Sequence, residues 1–490
     1  MANTQDERFI RHIKKFKLDE LLLKIADITR NMYKNNQSVI EQHFKWHMGQ
    51  YTNDCYQLIT PWGLAEISYQ AIINSNDYRH ERLNDDNDII NLYNLYSEFN
   101  ENVDAQTLES IDEEKTLILL LQMAQEQFWY QTPQAIVERF NRDYEIIKNM
   151  DSRLDTSMNL DEKFKEITGF NIDEYVKLGL VTFGIAFSQS DISDVMVDDK
   201  LLNKIPIATK ENINKYIANY TCTYKEVREA IDLGKQALLI KPIISTSGGK
   251  LIISNMFNMS KIFSECVYWT LREYYRVSNS HDFVIHFGTC FEKYCESLFE
   301  YYMESDRYTK IEELNLEDKQ ADWIVDFEDY IMIIEQKSAL ININSKKFLG
   351  DYEGIYTYID RNLVKAYKQL KTTDDNVKSR YNKPIIKVVL TYENLFIPEQ
   401  YQRIVIEREK LDYGDNYMYW ILNISELERL LAMYKKDKQT ALDILREKID
   451  LEKLHDPNGT RLELLYEKRN YRENEYMRKV KDHFAGIVSL

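Results

Sequence analysis

Ala321-Asp322-Trp323-Ile324-Val325-Asp326-Phe327-Glu328-Asp329-Tyr330-Ile331-Met332-Ile333-Ile334-Glu335-Gln336-Lys337 reads as two strands joined by a two-residue turn. With Glu328-Asp329 as the turn, counting outward sets Asp322 opposite Glu335. Directly opposed side chains of an antiparallel pair lie about 4.5–5.5 Å apart at Cβ. Two carboxylates at that separation repel unless a cation lies between them. Side chains alternate along a strand, so Glu335 and Lys337 share a face. The run Tyr330–Ile334 is apolar on both faces, as in a central strand covered on both sides. A buried strand that ends in Glu-Gln-Lys carries two charges that need a reason. An isolated Glu-x-Lys is most simply a strand emerging into solvent; the aspartate across the hairpin argues against that here.

The residue types suit one chemistry. Hydrolysis of a phosphodiester calls for a cation to bind a phosphate oxygen, activate water and offset developing negative charge. Mg²⁺ takes hard oxygen ligands and keeps several waters, so two or three carboxylates suffice. A lysine beside them orients the water or stabilises transition-state charge.

The neighbouring sequence supplies a core for this hairpin. Asp282 to Met303 is expected to be an amphipathic helix with Phe287, Phe291, Tyr294, Leu298 and Tyr302 along one stripe. Residues 307–313 suggest a strand, Thr357–Leu370 a helix, Pro384–Thr391 a buried strand and Ser425–Tyr434 another helix. The order αβββαβ predicts a mixed α+β core with helices on the sheet faces. Residues 437–490 form a charged helical tail, expected to pack on that core or on a partner. Residues 236–280 read as a β-hairpin around Gly248-Gly249 followed by a helix, and residues 1–235 as a mostly helical regulatory or targeting domain. Leu18–Tyr33, Thr107–Phe128 and Pro133–Met150 carry the helical period in that half.

The segment resembles the PD-(D/E)xK phosphodiesterases, the superfamily of restriction endonucleases and Holliday-junction resolvases. Its signature aspartate corresponds to Asp322, with Ala321 in place of the usual proline, and its (D/E)xK to Glu335-Gln336-Lys337. Phe287-Gly288-Thr289-Cys290-Phe291-Glu292-Lys293-Tyr294 is similar to the start of the first core helix in such enzymes. There a glutamate joins the metal site, which implies Glu292, with Glu296 one turn later as a substitute. Ala366-Tyr367-Lys368-Gln369-Leu370 is similar to the second core helix and implies Gln369. The resemblance covers about residues 280–395 and implies a restriction-endonuclease-like core over 281–436. It implies a Mg²⁺ (or Mn²⁺) site on Asp322, Glu335 and Glu292, with Lys337 and Gln369 completing the catalytic set. The expected activity is cleavage of nucleic acid, DNA first, with an RNase or a non-catalytic scaffold on the same fold as alternatives. A nuclease module joined to an unfamiliar helical half suggests anti-phage defence or restriction, by association only.

From Arg361 to Lys387 there are eight basic residues against two acidic ones, in a chain of net charge −17. This stretch, with Lys365 and Lys368, and with Lys346 and Lys347 from the preceding loop, is a candidate track for a phosphate backbone. The global charge argues against a protein that coats nucleic acid and suits a protein partner or self-association through the helical half. Cys55, Cys222, Cys266, Cys290 and Cys295 show no CxxC spacing and fit a reducing cytoplasm. There is no leader-like apolar core at the N-terminus and no run of about 18 apolar residues, so no membrane role is expected. His43 and His47 have zinc-ligand spacing but lack the glutamate of HExxH, and His286 is expected to be a packed or surface histidine. No phosphate-binding glycine loop is present.

Overall fold

The computed structural model describes residues 4–48, 51–79, 86–108, 113–131, 135–155, 157–232, 236–314, 320–342, 345–346, 352–411, 418–455, 461–471 and 474–479, with 81, 83 and 482 as single residues. It is a mixed α+β structure, helix-rich, with three sheets among the described residues. Two strands, β1 (Ile40–Met48) and β2 (Tyr51–Ile59), form an antiparallel hairpin. Three short strands, β3 (Thr221–Thr223), β4 (Ile243–Ser245) and β5 (Leu251–Ile253), form a second sheet, with β4 and β5 flanking the turn at Gly248-Gly249. The third sheet has β6 (Tyr308–Lys310), β7 (Trp323–Asp326), β8 (Ile331–Lys337), β9 (Ile385–Thr391) and β10 (Tyr419–Asn423) in the order β10-β9-β8-β7-β6.

Strands β6, β7 and β8 form an antiparallel meander, whereas β9 and β10 run parallel to β8. Antiparallel neighbours need only tight turns; the parallel steps require helical crossovers. The β7–β8 register pairs Trp323 with Ile334 and Asp326 with Ile331. The turn needs a left-handed residue, and Glu328 takes that role at φ 63°. Its N–H donates to Asp326 Oδ1 at 2.8 Å, and Phe327 N–H donates to Tyr330 O at 2.9 Å.

Period-2 alternation assigns each sheet residue to one of two covers. Trp323, Val325, Met332, Ile334, Val388 and Trp420 enter the main apolar cluster. That cluster includes Phe287, Phe291, Tyr294 and Leu298, buried residues of the helix Asp282–Tyr302. Ile324, Ile331, Ile333, Val389 and Tyr419 face the other way, against Ala366, Tyr367 and Leu370 of the helix Lys365–Val377. We call Met256–Val277 α1, Asp282–Tyr302 α2, Lys365–Val377 α3 and Ile424–Lys436 α4. Helix α3 continues Tyr352–Ile359 through a π-helical stretch, Asp360–Val364.

The apolar clusters do not stop at the expected segment boundaries. The main one runs from Phe140 through α1 and α2 to Tyr476 and Met477. The N-terminal cluster takes in Ile244 and Ile252 of the 236–280 connector, and Leu117, Ile118 and Leu121 pack on the α3 side of the large sheet. The tail therefore packs on the core, through Leu462, Leu465, Tyr466 and Tyr476.

A buried polar seam ties the first half to the rest. Arg142 donates from Nε and Nη2 to the two carboxylate oxygens of Glu428 on α4, at 2.6 and 2.7 Å. The same carboxylate accepts from Tyr294 Oη and Asn474 Nδ2, both at 2.6 Å. Arg139 pairs with Glu265 at 2.9 Å, and Lys346 pairs with Glu393, which also accepts from Ile341 N–H at 2.9 Å. Lys261 is buried in the same group, where desolvation holds its ammonium down at about 8.

Two departures from expectation have local causes. Ile40–Ile59 lies in the half read as mostly helical, yet Phe44, Trp46 and Met48 alternate with polar residues, which is strand periodicity. His43 and His47 therefore sit on a strand, and their side chains lie outside the described residues. The strand β10 was not anticipated; it adds to β9 through Tyr419–Asn423. Among the described residues no helix is long and apolar enough to cross a membrane.

Candidate active site

The mouth of the β7–β8 hairpin is built by the backbone before any side chain acts. Asp322 N–H donates to Ile334 O at 2.9 Å, and Ile311 N–H donates to Asp322 O at 2.9 Å. Asp322 thus sits between its two neighbouring strands, at the start of β7 and beside the end of β8. Its Oδ2 accepts the Gln336 N–H at 2.6 Å, which lays the carboxylate across the Glu335–Gln336 peptide. Glu335 is 3% exposed at the end of an apolar strand. The Lys337 ammonium contacts the Glu335 carboxylate and reaches Gln369 Oε1 at 3.5 Å.

Helix α3 fixes the approach to Asp322 at two points. Gln369 Nε2 donates to Gln320 O at 2.9 Å, and Ala321 N–H donates to Thr373 Oγ1 at 2.8 Å. Gln369 therefore touches Lys337 with one end of its amide and the strand leading to Asp322 with the other. Gln336 points to the opposite face, where its Oε1 accepts from Trp323 Nε1 at 3.1 Å.

Burial, then the charges of Glu335 and Glu292, push the Asp322 carboxyl up to about 7. An aspartate held this high beside a second carboxylate is a place where a cation would be favourable. Glu292, on α2, is close enough to contribute to that shift but is ion-paired with Lys310 of β6, which also lies 3.2 Å from Glu312. Asp322, Glu335 and Glu292 are not gathered with their ligand atoms all within 4.8 Å of one another. The physical reason is mutual repulsion, relieved by two lysines: Lys337 takes Glu335 and Lys310 takes Glu292. Glu296 pairs instead with Lys293, one turn away on α2.

The basic stretch is not the open track that the sequence suggested. Lys346, expected to contact phosphate, is buried against Glu393, which follows the C-terminal end of β9. Lys347 lies outside the described residues. Lys365 is exposed on α3, and Lys368 is exposed with Glu409 at 2.6 Å. Lys371 and Lys378 both lie 2.8 Å from Asp375, and Lys383 binds Asp326 at 2.7 Å. Lys387 is buried over the Tyr419 ring at 4.7 Å.

A second group was not seen in the sequence. Buried Asp151, His286 and Cys290 have ligand atoms within 4.8 Å of one another and could hold a metal ion. His286 and Cys290 were visible at helical spacing, but Asp151 is 135 residues away in sequence from His286, and no local pattern links them. Lys310 and Thr373 were also missed; each acts through a partner on another element. No family model, curated protein or solved structure matches the chain.

Proposed function

We propose that the chain is a Mg²⁺- or Mn²⁺-dependent nuclease of the PD-(D/E)xK type, acting on DNA. One observation carries the reading: Asp322, Glu335 and Lys337 meet at the mouth of one hairpin, with the Asp322 anion disfavoured by burial and by the neighbouring carboxylates. Asp322 and Glu335 would hold the cation, with Glu292 available once it leaves Lys310. When bound, the divalent cation supplies Lewis acidity toward a phosphate oxygen and lowers the pKa of water. Lys337 donates hydrogen bonds to the phosphate as its charge rises, and Gln369 sets the lysine's direction. Water adds to phosphorus, the bridging P–O bond breaks, and the leaving oxygen takes up a proton.

Lys365 and Lys368, on the exposed side of α3, contact the nucleic-acid backbone in this reading. The acidic surplus of the chain keeps non-specific binding weak and favours a protein partner or a second copy. Anti-phage defence or restriction is the setting we infer, in a reducing cytoplasm that suits the buried free thiols Cys222, Cys266, Cys290 and Cys295.

The test is incubation of the purified chain with plasmid DNA and, separately, RNA, each with Mg²⁺, alongside Glu335→Ala and Lys337→Ala. Cleavage of DNA by wild type and its loss in both variants is the expected result. Equal cleavage by all three proteins would remove the site assignment, and cleavage of RNA alone would change the substrate.

A further inference from the structure

Helix α2 faces two ways. Cys290 and Glu292 are two residues apart, about 200° around a helix, so they project from opposite sides. Glu292 turns to β6 and the hairpin mouth. Cys290 turns inward with His286, one helical turn earlier, toward Asp151.

We propose that Asp151, His286 and Cys290 form a second cation site, of the zinc class, separate from the carboxylate edge. His286 Nε2 lies 2.7 Å from Asp151 Oδ1, and the three residues are 8%, 4% and 0% exposed for His286, Asp151 and Cys290. The donors are one imidazole nitrogen, one carboxylate oxygen and one thiol sulfur. Mg²⁺ and Ca²⁺ prefer oxygen alone, whereas this N/O/S set suits a borderline-soft ion that accepts tetrahedral geometry. Bonds of about 2.0–2.3 Å place tetrahedral donors roughly 3.3–3.8 Å apart, so a set already within 4.8 Å needs only small side-chain shifts. Three protein donors would leave a fourth tetrahedral position for water.

The surroundings orient the ligands as outer partners do in metal sites. Asp151 Oδ2 accepts the Leu160 N–H at 3.0 Å, and Oδ1 accepts the Met158 N–H at 3.2 Å. These bonds aim the carboxylate at α2 whether or not an ion is present. On binding, the Nε2···Oδ1 hydrogen bond gives way to two bonds to the ion. His286 carries its proton on Nδ1, and the Cys290 thiol gives its proton to solvent. The ion then staples α2 to the end of the π-helical stretch Glu145–Met150, joining the first half of the chain to the helix that carries Glu292. A bare Asp–His hydrogen bond that only ties the two segments together is the competing arrangement.

The experiment measures metal rather than cleavage, so it stands or falls apart from the nuclease reading. Full-length wild type, Cys290→Ser, His286→Gln and Asp322→Ala are produced with zinc in the medium, dialysed, and assayed for zinc by mass spectrometry. Wild type and Asp322→Ala should each retain about one zinc per chain, and Cys290→Ser and His286→Gln less than about a tenth of that. Cobalt exchanged into wild type should show a thiolate-to-cobalt charge-transfer band, which decides the matter if a variant does not fold. Background zinc in wild type, unchanged zinc in Cys290→Ser, or cobalt without the thiolate band would each overturn the proposal.

Discussion

The buried seam and the carboxylate edge use the same residue types to opposite ends. In the seam each acid meets an opposite charge at close range: Glu428 with Arg142, Glu265 with Arg139, Glu393 with Lys346. At the edge Lys337 meets Glu335, Lys310 meets both Glu292 and Glu312, and the Asp322 carboxyl is pushed up by burial and by its neighbours. Charges balanced inside a fold hold elements together. The edge keeps a surplus of negative charge at a strand end, which the nuclease reading assigns to a bound cation. The contrast separates what should change stability from what should change activity.

Arg142→Ala should show the largest effect, because it leaves Glu428 as a buried charge without its bidentate partner. A loss of about 3–5 kcal/mol is expected, read as a lowered denaturant midpoint with little change in metal affinity. An unshifted midpoint would show that Tyr294 and Asn474 suffice for Glu428 and that the seam is not a stability element. Lys337→Ala should do the reverse, lowering cleavage on the order of 10²–10³-fold while the unfolding midpoint moves little. If the midpoint falls as far as for Arg142→Ala, the edge belongs with the seam.

Lys261 gives the seam a pH signature. Burial holds its folded-state pKa at about 8, below the ordinary 10.5. Between those values the unfolded chain binds a proton that the folded chain does not, so stability contributed at this position rises with pH. Subtracting the unfolding curve of Lys261→Met from that of wild type should show this rise, and a flat difference would place the lysine in a wetter environment. The smallest effect is expected for Lys310→Gln. Freeing Glu292 from a half-buried ion pair is worth about 0.2–1 kcal/mol, a few-fold at most in the Mg²⁺ concentration for half-maximal cleavage. A shift toward higher Mg²⁺ would show that Lys310 positions Glu292 rather than withholding it.

The hairpin was legible because each of its determinants is local. A turn at Glu328-Asp329 and strict alternation fix which residues face each other, and the structure has the corresponding register from Trp323↔Ile334 to Asp326↔Ile331. The stripe on α2 was legible for the same reason: all five of its aromatic and aliphatic residues are buried. What was not legible depends on distant partners. Lys346 looks basic and loop-borne in sequence, and only the fold brings Glu393 against it. The β1–β2 hairpin lies in the half expected to be mostly helical, although Phe44, Trp46 and Met48 alternate with polar residues as a strand requires. The placement of Leu117, Ile118 and Leu121 against the large sheet could not be read from any window of sequence.

That last contact bears on synthesis and on engineering. A chain emerging from the ribosome makes Leu117–Leu121 long before β8, and the sheet on whose α3 side they pack is finished only when β10 appears. The entropy of closing a loop of that length must be overcome before these apolar contacts form. The stretch 281–436, cut out by itself, would keep α3 on that face of its sheet but leave behind Leu117, Ile118 and Leu121, which pack into the same apolar cluster. Produced without the Glu113–Gln131 helix, that stretch should unfold at a lower denaturant concentration than when the helix is present.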